Sequence, residues 1–155
     1  MIQRIQSLYL LLTTLLSGLF LKGSFLKFIN NTGSEITINF KGIYQTAGEK
    51  GIDLIEKMIP LSVIFILIPV LSILAILLFK NRKLQLKATM IVIILTILLI
   101  ATAACTGISI IQSNQAALVP GVKMFVPLLI LVFSILAYRR IKRDEDLVKS
   151  YDRLR

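Results

Sequence analysis

Apolar residues run almost unbroken through four stretches of this chain, about 5–21, 58–79, 88–111 and 121–138, and polar residues collect between them. Each stretch approaches the ~20 apolar residues that carry a helix across the hydrocarbon core of a bilayer, where every backbone amide must be satisfied within its own segment. The pattern predicts four membrane-spanning helices. Segment 22–57 reads differently. From Ser34 to Phe40 apolar and polar residues alternate, as in a half-buried strand. Phe25 to Ile29 suits a hairpin partner across Asn30-Asn31-Thr32-Gly33, and Ile43 to Thr46 a third strand after Lys41-Gly42. Between Gly48 and Lys57 the spacing of Ile52, Ile55 and Ile59 predicts a short helix leading into the second span, with Pro60 acceptable near a helix start. The expected fold is a mainly α membrane protein: a four-transmembrane-helix bundle with a small β-meander in the first outer loop and a cytoplasmic C-terminal helix.

Composition sharpens this. The chain is 56% hydrophobic with a mean hydropathy of +0.85, above the roughly 45–50% apolar content of soluble domains, and 155 residues leave room for one membrane domain. A net charge of +10 would suggest nucleic acid in a soluble protein, but here the basic residues flank the apolar stretches. Orientation and anionic lipid headgroups account for them, so no nucleic-acid partner is expected. Segment 80–87 carries four basic residues and no acid, and the tail 139–155 carries seven more. By the positive-inside rule both face the cytoplasm. Loop 112–120 is uncharged, and loop 22–57 balances five lysines against Glu35, Glu49, Asp53 and Glu56, so both lie outside. Arg4 then falls inside, and both termini are cytoplasmic. The first stretch is expected to be retained, because Ser17-Gly18 is followed by Leu19-Phe20-Leu21 with no small-residue cleavage pattern. Asn30-Asn31-Thr32 matches a glycosylation sequon, but the match is short and common and in a bacterium it would mean nothing.

Chemistry is sparse. Histidine and tryptophan are absent, and the single Cys105 excludes an intrachain disulfide. The span interiors hold no Asp, Glu, Arg or His, the groups that usually mark ion and proton pathways. Lys123, near the outer end of the fourth span, reads as a side chain that reaches water along its apolar stem. Pro69 and Pro127 fall within the second and fourth spans, where neighbouring groups can re-satisfy the backbone. No catalytic, cofactor or metal site is expected. The third span carries a helix-packing face of small residues at Ala101, Ala103, Cys105, Gly107 and Ser109, and the first a similar one at Thr13, Thr14, Ser17 and Gly18. Both faces are expected to be buried against protein rather than lipid.

The tail is the most informative polar stretch. Arg139-Arg140-Ile141-Lys142-Arg143 stops transfer, and a helix follows in which Leu147, Tyr151 and Leu154 share a face and Glu145 and Lys149 are spaced for an i to i+4 pair. Such a short helix alone is marginal in water and needs a surface to lie against. The opening Met1-Ile2-Gln3-Arg4-Ile5-Gln6-Ser7-Leu8-Tyr9-Leu10, and the closing Lys142-Arg143-Asp144-Glu145-Asp146-Leu147-Val148 and Ser150-Tyr151-Asp152-Arg153-Leu154-Arg155, resemble the two ends of an uncharacterised family of small four-span membrane proteins of Bacteroidota, domain of unknown function 4293. The resemblance implies a bacterial inner (cytoplasmic) membrane and brings no activity or cofactor. With both ends on one side, Gln3, Arg4 and Gln6 are expected to meet Asp152, Arg153 and Arg155. Together with Leu147, Tyr151 and Leu154 they form a candidate cytoplasmic docking surface.

Three function classes fit. An accessory or scaffold subunit, with a protein partner or through self-association, is favoured because packing and docking features are present while chemistry is not. A small transporter or channel is the alternative, weakened by the lack of membrane-embedded acids. A lipid-modifying enzyme comes last, its candidate acids Asp53 and Glu56 serving equally to cap a helix start.

Overall fold

The computed structural model describes residues 3–21, 23–30, 33–46 and 52–153, and for residues 3, 4, 52–56, 80 and 149–153 the backbone alone. Four helices carry most of the chain: α1 (Gln3–Phe20), α2 (Ile59–Leu77), α3 (Arg82–Asn114) and α4 (Val126–Arg153). α1 packs against α2 and α4, and α3 against the same two, so the helices close a cycle. One end gathers Leu10, Ala75, Ala137 and Ile141 with Tyr9 and Leu86. The other joins the helices to a sheet through Phe20, Phe65, Ile110 and Ile130. Consecutive helices therefore alternate in direction.

All four helices bury residues at alternating steps of four and three. The series are Gln6, Leu10, Thr13, Ser17, Phe20 in α1; Leu61, Phe65, Ile68, Ser72, Ala75 in α2; Gln85, Thr89, Val92, Thr96, Leu99 in α3; and Pro127, Ile130, Ser134, Ala137, Ile141, Asp144 in α4. An average step of about 3.5 residues keeps one seam on the interior, as in coiled-coil-like bundles. Polarity is not divided as in a soluble bundle. Hydroxyl, amide and small residues share the seam with large apolar ones, while Leu8, Leu11, Leu15, Leu19, Ile66, Ile94, Ile97 and Val132 point outward. The buried hydroxyls are satisfied by their own helices: Thr89 donates to the Gln85 carbonyl at 2.9 Å, Thr96 to Val92 at 2.7 Å and Ser134 to Ile130 at 2.7 Å. One set crosses between helices. Ser72 Oγ donates to the Leu10 carbonyl at 3.0 Å and accepts from Thr14 Oγ1 at 3.0 Å, tying α2 to α1.

The sheet is antiparallel in the order β4-β3-β2-β1-β5, built from β1 (Ser24–Ile29), β2 (Glu35–Asn39), β3 (Gly42–Thr46), β4 (Ile52–Glu56) and β5 (Ala117–Val119). The first three are the expected meander. Gly33, at φ 77°, supplies the left-handed residue in the β1–β2 turn, where its N–H donates to the Asn30 carbonyl at 2.9 Å. The helix expected before the second span is instead β4. Its isoleucine spacing fits a helix, but a short lone helix is marginal in water, whereas the free edge of β3 pairs Ile52, Asp53, Leu54 and Glu56 with Thr46, Gln45, Tyr44 and Ile43, with an irregularity at Ile55. β5 comes from the uncharged loop expected to be plain connection, and it pairs Lys27 with Val119, Phe28 with Leu118 and Ile29 with Ala117.

Boundaries move in two places. Segment 80–87 is mostly helix: a single 3₁₀ turn (Leu78–Lys80) precedes α3, which starts at Arg82. Pro127 is not mid-helix, because a 3₁₀ turn (Val122–Phe125) precedes α4, leaving this proline in the first turn, where no N–H is required. At 33 residues α3 is about 50 Å long. Its last turns rise beside the sheet, where Gly107 is buried and a Cβ there would lie 3.5 Å from Phe28 Cζ.

Candidate docking surface at the polar end of the helices

The end of the molecule marked by Leu10 and Ile141 carries most of the basic residues, among them Arg82, Lys83, Arg139, Arg140, Lys142 and Arg143. α4 does not stop at the arginine cluster but runs on to Arg153 as one helix, so the tail segment is a continuation of the last long helix. Ile141 and Asp144 extend the buried seam past Tyr138, and Asp144 is only 8% exposed although the sequence around it, Lys142-Arg143-Asp144-Glu145-Asp146, is fully charged. Its carboxylate Oδ2 accepts from Gln6 Nε2, which is itself buried on α1. Arg82, in the first turn of α3, donates from Nη1 to the Asp144 backbone carbonyl at 3.0 Å. Three helices meet at this one residue.

Contact between the two ends of the sequence is thus made by Gln6 and Asp144. Gln3 and Arg4 lie in the first turn of α1, and Tyr151, Asp152 and Arg153 in the last turn of α4, all with side chains outside the description. Leu154 and Arg155 lie outside the described residues. Leu147 and Val148 are 47% and 43% exposed, one turn beyond Asp144. Beside them Tyr138, Arg139, Lys142, Arg143, Asp146 and Leu147 line a shallow depression on α4. The arrangement offers a helix with a basic flank and an exposed apolar pair, Leu147 and Val148, a surface suited to binding.

Asp144→Ala is expected to destabilise the fold by about 2 kcal/mol, the usual cost of stranding a buried hydrogen-bond donor whose partner was charged. Asp144→Asn, which keeps an acceptor, is expected to cost less than half as much. Thermal unfolding of both variants in mild detergent checks this, and equal losses would mean that Gln6 does not depend on the acceptor.

The helix-packing face divides. Gly107 is buried beneath β1 and Ala103 is half-buried, whereas Ala101, Cys105 and Ser109 are exposed, contrary to the expected burial. The α1 face, with Thr13 and Ser17 buried and Thr14 bonded to Ser72, does lie against protein. Asp53 and Glu56 belong to β4, with side chains outside the description. Among the described residues no three of His, Cys, Asp or Glu come together as a metal site would require. Sequence reading missed Asp144, Arg82 and Ser72. The signal for Asp144 was its place three residues after Ile141, in step with the seam.

Residues 2–154 match the family model described as Domain of unknown function (DUF4293). The chain belongs to that family. The match takes in every helix and strand of the described residues. No curated protein and no solved structure shows significant similarity to this DUF4293 chain.

Proposed function

We propose that this DUF4293 protein is an integral protein of a bacterial inner membrane: a four-helix transmembrane bundle with both ends in the cytoplasm and the sheet outside. It serves as an accessory or scaffold subunit that docks a protein partner through its C-terminal helix. Membrane integration is supported by the apolar outer surface of the helices, where leucine and isoleucine are exposed, and by the hydroxyl and small residues within the seam. Lipid favours both, because there close approach and hydrogen bonds help to hold helices together. Ile59–Leu77, Arg82–Asn114 and Val122–Val148 are each long and apolar enough to cross a membrane. The apolar part of α1, Ile5–Phe20, is shorter than these three and is taken as the fourth span because it packs along α2 and α4.

The observation that carries the docking role is the continuation of α4 past buried Asp144, with Leu147 and Val148 exposed on a helix anchored by Gln6 and Arg82. A pre-formed helix loses little conformational entropy when a groove closes on it, so a small apolar tip flanked by arginine and lysine can still bind firmly. Affinity purification in mild detergent from the native membrane is expected to yield a stoichiometric partner with the intact chain, and to lose it with a chain ending at Asp146. A truncated chain that keeps every partner would end this reading.

A further inference from the structure

The geometry points to a phospholipid site at the other end of the molecule, and we propose that its occupant is an anionic phospholipid. The inference rests on the membrane reading above. Between β1, α3 and α4 lies an apolar groove of about 300 Å³, its walls including Phe28, Ala103, Ala104, Gly107, Met124 and Leu128. The small residues of α3 make its depth. The groove is open along one side and walled by apolar side chains, a form that suits a length of acyl chain.

Charge selects the headgroup. Lys123 is exposed and immediately precedes Met124 of one wall. Its Nζ lies 2.8 Å from where a Cβ would stand on Gly23, which comes just before β1, the strand that supplies Phe25, Leu26 and Phe28 to the other wall. An ammonium therefore sits where the two walls meet at the rim. Between Glu56 and Asp144 the sequence has no acidic residue, so α3, β5 and this part of α4 bring no carboxylate to repel an anion, and β1 has none either. With three donors on a flexible stem, lysine can keep a contact to the protein and still bind a phosphate oxygen. Lys27, the exposed cation of β1, alternates with buried Leu26 and Phe28 and so stands on the opposite face of the sheet. It serves as the internal control.

The test is native mass spectrometry of the purified full chain, loaded with phosphatidylglycerol or phosphatidylcholine of identical acyl chains. Intact protein is expected to retain phosphatidylglycerol at least tenfold better. Lys123→Gln should reduce that preference to parity, and Lys27→Gln should leave it unchanged. Ala104→Phe fills the groove from an exposed position and should remove retention of both lipids, while circular dichroism and a monodisperse elution show the fold intact. Equal retention of the two lipids by the intact chain, or undiminished retention by Ala104→Phe, overturns the proposal. Those results leave membrane integration standing; a chain that fractionates with soluble protein overturns both.

Discussion

A membrane-impermeant maleimide added to intact spheroplasts is expected to label Lys41→Cys almost completely and Leu147→Cys not at all, in a background carrying Cys105→Ala. Permeabilisation should then expose the second site. Lys41 lies in the exposed turn between β2 and β3, and Leu147 is exposed on α4, so each thiol is open to reagent from its own side. The expectation follows from where the charge lies. Drawing Arg139, Arg140, Lys142 and Arg143 through the hydrocarbon would cost about 2.5–3.5 kcal/mol for each residue at the helix centre, whereas segment 22–57 is nearly neutral. The native Cys105 adds a second readout. It is exposed on α3, nine residues beyond Thr96, and in the proposed orientation it would face lipid out of reach of a water-borne reagent, so it should stay unlabelled in membranes. Labelling of both introduced cysteines without permeabilisation would sink the spanning reading, and the opposite pattern would invert it.

The elements carried by strong local patterns were legible in the sequence: the long apolar helices, and β1 to β3 with their turns. Those decided by tertiary neighbours were not. Ile52, Ile55 and Ile59 fit a helical period, and only the open edge of β3 makes β4 a strand. β5 has three residues, too few to show a period, and exists because β1 has a second edge to satisfy. In both cases the backbone of a neighbouring strand overrides a weak local signal.

The interior faces teach a finer point. Ala101, Cys105 and Ser109 are spaced four apart, and residues four apart advance about 40° around a helix at each step, so such a set drifts out of any one interface. The residues α3 buries, from Gln85 through Thr96 to Leu99, alternate steps of four and three and hold their direction. The same rhythm in hydroxyl residues, Thr13 and Ser17 in α1 or Thr89 and Thr96 in α3, was readable in the sequence and marks the seam better than small size alone. It also picks Asp144 out of a run of charges, since the positions 130, 134, 137, 141 and 144 keep that rhythm into the polar tail. The candidate docking surface was thus legible in its location and not in its anchoring. Gln6 was expected to meet residues at the far end of the tail, and it meets the first buried carboxylate on the way.

Phe65→Ala is expected to release the sheet from the helices while leaving their polar end intact. The Phe65 ring lies 4.9 Å from that of Phe20 at the end of α1 and 5.5 Å from that of Phe25 at the start of β1, and those two are 5.3 Å apart. Three elements are joined by one aromatic cluster, all of it nearly inaccessible. Truncating a buried phenylalanine costs about 3–5 kcal/mol, and each ring pair adds roughly 0.5–1.5 kcal/mol beyond its area. Two of the three pairs are lost with Phe65. The cavity cannot be refilled by a small shift, because β1 is also held by β2 and β5 and cannot follow α2 alone. The second cluster, around Leu10, Ala75, Ala137 and Ile141, contains none of these rings and should not feel the change. Hydrogen exchange read by mass spectrometry in detergent is therefore expected to show protection lost by several hundredfold across β1 to β3, with little change in α1 near Leu10 or α4 near Ile141. Phe65→Leu should lose far less. A uniform loss over the whole chain would mean that the sheet and the polar end unfold as one unit, and that the aromatic cluster is not the joint between them.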